Sequence, residues 1–320
     1  MIFEFFLLFT QLVSISGYNE PVVGVPLPKR NWKRGTLGNG RILCIVHTAK
    51  PSHEIRAKTV YDTWAKNCDD VIFFTDAPMD WNVPHVYFPK FTTRKHSWEK
   101  IRNVMRFIYK TTLGQYDWYL RADDDAFVLM ENARKFLRRF DPNHDYLLGY
   151  RWGFYEQKGF ADGSTYILSW KALGSFVNVT YDEKLCPEFH RAEEDQELSR
   201  CLAKVGITPT DSRDNDGRDR FHQFHPEEHL NPGRELFISR HGYYRYFGYP
   251  DHVSPSTVGM HHLSPYEMRF IDFLVHKVGG LFEESAGVGR GAFSESDERG
   301  LSVRSGGSVQ VIGDVMEPRI

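Results

Sequence analysis

Three apolar runs, each strand-length and separated by residues of helical period, constrain this chain more than any other feature. RILCIVHTA (41–49) and DVIFFTD (70–76) are near-continuous rather than alternating, as parallel strands covered on both faces require. Between them Ala57, Val60, Tyr61 and Trp64 fall on one helical face. Ile101, Val104, Met105 and Ile108 form a second stripe, for which Ser97 is a suitable N-cap. The third run is YDWYLRADDDAFVLM (116–130). Strand, helix, strand, helix, strand predicts a right-handed α/β sheet with helices on both faces. With 320 residues, 41% of them hydrophobic, the chain can bury such a core.

The third run raises a chemical question. Asp123, Asp124 and Asp125 repel one another and resist leaving water unless a positive charge compensates them. They form either an acidic surface turn or a cation site. Ligands of open α/β sheets bind beyond the carboxyl ends of the strands, where this triplet falls. On an extended backbone Asp123 and Asp125 point the same way and Asp124 elsewhere, so the outer pair can share one cation. Hard carboxylate oxygens suit Mn²⁺ or Mg²⁺, ions that keep positions open for phosphate oxygens.

The second half is less regular. Leu198, Cys201, Leu202 and Val205 mark a helix that Gly206 can end. Ser264, Pro265 and Glu267 read as a capping box opening a helix with Met268, Ile271, Leu274 and Val275 on its stripe. Residues 1–16, MIFEFFLLFTQLVSIS, read as a signal peptide or short anchor, against the alternative of a buried N-terminal strand. Residues 17–40 read as a Pro/Gly-rich stem, 41–278 as the folded domain, and 279–320 as a disordered Gly/Ser-rich tail. Four cysteines and the sequon Asn178-Val179-Thr180, taken with the leader, favour an oxidising compartment. The 40 basic residues nearly balance the 42 acidic ones, which excludes bulk electrostatic binding to nucleic acid.

Four segments resemble one family: RILCIVHT, DWYLRADDDAFV, EEDQELSRC with the preceding Cys186, and DSRDNDGRDRFHQFHPEEHL (211–230). This is the core 1 β1,3-galactosyltransferase family, glycosyltransferases of the secretory pathway related to the fringe proteins. The resemblance implies a GT-A fold, a single Rossmann-like nucleotide-sugar-binding domain with an Asp-x-Asp metal site. It also implies Mn²⁺, a UDP-galactose donor and an O-linked N-acetylgalactosamine acceptor on a glycoprotein. By the same resemblance the chain works in the Golgi lumen, as a type II membrane protein or released after leader cleavage, and a homodimer is compatible with it.

Carried over residue by residue, Asp123, Asp125 and His261 match the metal ligands. Thr48, Arg94, Lys100, Asp124 and His262 match donor-side positions. Glu194 and Asp195 match the acidic pair that supplies the catalytic base, with Asp195 preferred. The bridges implied are Cys44–Cys68 and Cys186–Cys201. Departures from the family pattern concern the acceptor. Thr165 stands where a glycine is usual, and Gly242, Tyr243 and Tyr244 replace a Trp-rich run, which leaves acceptor stacking to Tyr243 or Tyr244. A cysteine pair upstream of MHHL is absent. The alternatives are a fringe-like β1,3 transferase using another UDP-sugar or acceptor, and a non-catalytic chaperone or lectin-like paralogue.

Overall fold

The structure is a computed structural model and describes residues 20–30 and 40–278. The expected leader (1–16) and tail (279–320) lie outside the described residues. The elements below belong to one unit, Met1–Lys277.

The apolar runs form the centre of the sheet. β2 (Ile42–His47), following the edge strand β1 (Val22–Val25), lies between β3 (Asp70–Thr75) and β5 (Trp118–Asp123), all parallel, with β4 (His85–Tyr87) parallel beyond β3. The full order is β1-β4-β3-β2-β5-β8-β7, where β7 is Leu147–Trp152 and β8 is Phe160–Ser169. β1, β8 and β7 run antiparallel to their neighbours, so the sheet is mixed, with a parallel centre. Its antiparallel flank escapes sequence reading because β8 carries Asp162, Gly163 and Ser164 inside the strand, which breaks any apolar pattern.

Successive side chains of β2 alternate between two cores, which is why the run has to be apolar throughout. Ile42, Cys44 and Val46 pack on one side with Val60, Trp64 and Phe136, while Leu43 and Ile45 pack on the other with Ile101, Val104 and Leu198. Helix α1 (Lys58–Asp62), which continues a π turn His53–Ala57, and α3 (Met130–Leu137) cover the first side. On the second lie α2 (Ser97–Thr112), α4 (Trp170–Val179) and α5 (Glu194–Ala203).

Several local expectations need correction. Part of the expected stem is folded: Val22–Val25 pairs with the free edge of β4, and as an edge strand it needs no apolar period. His96, not Ser97, is the N-cap of α2, because the Ser97 hydroxyl donates back to the Arg94 carbonyl. Tyr61 and Val205 are exposed rather than on their buried stripes. Gly206 does end α5, at a φ of 84° that only glycine adopts readily. α6 (Pro232–His241) precedes α7 (Pro265–Phe273), where the expected capping box forms and Met268 is buried. Leu274 and Val275 lie beyond α7 and are exposed. Both expected disulfides are present, Cys44–Cys68 and Cys186–Cys201.

Candidate active site

The acidic triplet lies at the carboxyl end of β5, where His47 of β2 sits opposite Asp123. Alternation along an extended strand is not what sorts the three side chains. The chain turns here, with the Ala126 amide donating to the Asp123 carbonyl at 3.2 Å. The indole of Trp64, wholly buried, holds the turn by donating to the Ala126 carbonyl at 2.9 Å. Asp124 points to Thr48, whose hydroxyl donates to Oδ2 at 2.6 Å.

Immediately after the turn, β6 (Phe127–Val128) pairs antiparallel with β9 (Gly259–Met260). This short ladder carries the remote MHHL segment to the triplet, and the Leu263 amide donates to the Asp125 carbonyl at 2.9 Å. His261 Nε2 then lies 3.0 Å from Asp125 Oδ1 and 3.6 Å from Asp123 Oδ2. Its Nδ1 donates to the Gln223 carbonyl at 3.2 Å, which aims Nε2 at the carboxylates. His262 adopts a left-handed φ of 60°, stacks on His261 at 3.9 Å, and holds Nδ1 3.8 Å from Asp125 Oδ2.

Burial works against charge on Asp125, yet hydrogen bonds from His261 and His262 outweigh it and hold the carboxyl below its usual range. For Asp123 burial is likewise outweighed, chiefly by Arg121. Asp124 is pushed up to about 6 by burial, partly offset by the Thr48 hydrogen bond. His261 loses basicity to burial but gains more from Asp123 and Asp125, ending near about 10. The two carboxylates thus hold a proton on Nε2 where a divalent cation would compete for it. A pair of carboxylates and an imidazole oriented by a backbone carbonyl is a donor set that fits Mn²⁺ or Mg²⁺.

Sequence reasoning missed Arg121. It shares a strand face with Asp123, two residues on, and that spacing was the available signal. Its buried guanidinium reaches Asp123 Oδ1 at 2.8 Å and Glu194 Oε1 at 2.9 Å, and it also donates to the Gly163 carbonyl. It therefore joins the acidic triplet to the acidic pair opening α5. Glu194, 4% exposed, is closed in by Arg121 and the Tyr166 hydroxyl, 3.2 Å away. Asp195 is half-buried, and its carboxylate accepts from the amides of Gly163 and Gln196, both at 2.9 Å. Burial, helped by the charge of Asp162, pushes the Asp195 carboxyl up to about 7. A Cβ at Gly163 would lie 3.2 Å from that carboxyl group, close enough that the carboxyl would have to shift by a few tenths of an ångström to admit it.

Lys100 is buried, with Nζ 3.4 Å from His47, and so reaches the same strand ends. Arg94 is exposed in a 3₁₀ turn ahead of α2. Tyr243 and Tyr244 stack with arginines instead of presenting clear faces. Arg151 lies 3.6 Å from the Tyr243 ring centre, and Arg213 lies 3.8 Å from that of Tyr244. Tyr243 remains 40% exposed. Thr165 is buried against Gly259, between β8 and β9.

Comparison with known proteins agrees with the motifs. Residues 38–154 match the family described as Fringe-like. The chain is 27% identical over 246 residues to glycoprotein-N-acetylgalactosamine 3-beta-galactosyltransferase 1 of Xenopus laevis, a match covering 74% of this chain and 66% of the relative. It thus spans just under two thirds of that relative's length. Among solved structures, galactosyltransferase LgtC in complex with donor and acceptor sugar analogs aligns at a TM-score of 0.38 and 15% identity, over 70% of this chain and 87% of that one. Among the described residues no helix is long and apolar enough to cross a membrane. Residues 38–154 thus resemble the Fringe-like family, and the chain is similar over most of its length to a glycoprotein-N-acetylgalactosamine 3-beta-galactosyltransferase.

Proposed function

We propose that this chain is an inverting GT-A glycosyltransferase that moves galactose from UDP-galactose to the 3-hydroxyl of O-linked N-acetylgalactosamine on glycoproteins. One observation carries the reading: His261, remote in sequence, lies 3.0 Å from Asp125, and Arg121 links that cluster to the acidic pair of α5. Asp123, Asp125 and His261 would hold Mn²⁺, which when bound neutralises the diphosphate of the departing UDP. Thr48, Asp124, His262 and Lys100 border the same strand ends and would line the donor.

Asp195 would accept the acceptor's hydroxyl proton on a carboxylate oxygen. The oxygen so freed forms a bond to the anomeric carbon while the bond from that carbon to UDP breaks, its electron pair leaving with the phosphate. Attack from the face opposite UDP inverts the configuration. Glu194, sealed beneath Arg121 and Tyr166, is the poorer base and instead compensates the buried guanidinium. The relative's name supports galactose as the sugar moved and N-acetylgalactosamine as the acceptor, and the expected leader and the disulfides are compatible with work in the Golgi lumen.

A fringe-like transferase acting on another acceptor is favoured by a specific feature, the arginines stacked on Tyr243 and Tyr244. The test is transfer by the purified chain from a panel of UDP-sugars to an N-acetylgalactosamine-bearing peptide and to other glycosides. Transfer of galactose to the peptide supports the proposal. A different productive pair replaces its specificity, and UDP binding with no transfer at all replaces it with a binding module.

A further inference from the structure

Away from the acidic triplet, His222, His229 and His252 bring a nitrogen each to within 4.8 Å of one another. All are buried, at 6%, 4% and 2% exposure. They come from three segments with little regular structure: the stretch around residue 222, a 3₁₀ turn Pro226–Leu230, and the loop between α6 and β9.

Hydrogen-bond partners fix where the protons are. Thr257 donates its hydroxyl to the Ser254 carbonyl at 2.7 Å, so toward His222 Nε2, 3.1 Å away, it can only accept. That places the His222 proton on Nε2 and leaves a lone pair on Nδ1. His252 Nδ1 donates to the Gly248 carbonyl at 3.0 Å, which leaves a lone pair on Nε2. That lone pair faces His229 Nδ1 at 3.0 Å, close to the ~3.3 Å edge of a tetrahedral site with metal–nitrogen bonds near 2.0–2.1 Å. Without a cation, His229 Nδ1 donates its proton to that lone pair; a cation would displace the proton and take both nitrogens. In His222 and His252 the second nitrogen is held by a hydroxyl or a carbonyl, the arrangement of metal-binding histidines.

We infer that His222, His229 and His252 form a second site for a divalent cation of the zinc class, distinct from the site at Asp125, with a fourth position left to water. The donors are all imidazole nitrogen, which suits zinc rather than the oxygen-seeking manganese or magnesium. A cation here ties together the segments flanking Gln223, whose carbonyl orients His261. The inference stands independently of the proposed transferase activity.

The test uses the full-length chain with Asp125→Ala, which removes the other site, stripped with a chelator and then offered Zn²⁺ alone. A single zinc per chain should survive desalting and raise Tm. Adding His229→Ala should weaken zinc binding by more than about 100-fold, since loss of an outer-shell partner alone costs up to that much. Failure of the Asp125→Ala protein to retain zinc, or equal retention with His229→Ala, overturns the inference. If His229→Ala does not fold, zinc K-edge absorption on the Asp125→Ala protein decides. A shell of imidazole nitrogens at about 2.0 Å supports the site, and one dominated by oxygen or sulfur overturns it.

Discussion

Replacing Asp195 by Asn keeps the side chain's size and removes its capacity to take a proton. The carboxylate accepts from two backbone amides, Gly163 and Gln196, each at 2.9 Å. In Asn one acceptor becomes an NH₂ group facing an N–H, a mismatch costing about 1–3 kcal/mol. Domains of this kind are stable by roughly 5–15 kcal/mol, so the variant should fold. Loss of a general base costs about 10²–10⁴-fold in turnover, while affinity for UDP should be unchanged because the acidic triplet is untouched. The wild-type pH profile carries the same signature. Burial pushes the Asp195 carboxyl up to about 7, and only its ionised form can accept a proton. On the acid side of pH 7, kcat/KM should therefore fall about tenfold per pH unit, and it should level off above. Initial rates on the best acceptor across pH, with UDP affinity measured alongside, provide the assay. Normal rates in the variant, or an acid limb that survives the substitution, would mean that Asp195 is not the base.

Other substitutions probe the supports of the site. Gly163→Ala puts a methyl group against the Asp195 carboxyl, forcing a shift of a few tenths of an ångström, and should lower kcat by roughly tenfold with UDP affinity retained; unchanged kcat would show that the contact does not position the base. Arg121→Met strands Asp123 and Glu194 without their cation and should destabilise the fold by about 3–5 kcal/mol in urea denaturation, an expectation that a loss under 1 kcal/mol would contradict. The double variant Cys186→Ser, Cys201→Ser opens a closure of 15 residues ahead of and within α5; about 3 kcal/mol, or roughly 6–12 °C in Tm, should be lost, and an unchanged Tm would argue against it.

What the sequence made legible follows from local physics. Doubly covered parallel strands have to be apolar throughout, so 41–49 and 70–76 announced themselves, and the Ser264–Glu267 box fixed the start of α7 without tertiary help. The antiparallel flank stayed hidden because Asp162 and Gly163 serve the site from inside β8, at the expense of strand pattern. Edge pairing of Val22–Val25 depends on a free neighbour, which no local signal reveals. Within the candidate site, carboxylates at a strand end were conspicuous, whereas the union of His261 with Asp125 rests on a two-residue ladder across more than a hundred residues. Arg121 was overlooked because a charged residue in an apolar strand discloses its partners only once the acidic end of α5 is folded against it. The stacking of Arg151 and Arg213 on the tyrosines was likewise beyond the sequence, being a contact between separate loops and strands.

If a divalent cation is gripped by Asp123, Asp125 and His261, UDP affinity should depend on Mn²⁺. Calorimetric titration of UDP into the chelator-stripped chain should show weak binding that Mn²⁺ strengthens by at least about tenfold in the wild type and not in Asp125→Ala. Equal UDP affinity with and without Mn²⁺ in the wild type, or the same gain in Asp125→Ala, would mean that no cation held by Asp123, Asp125 and His261 anchors the nucleotide.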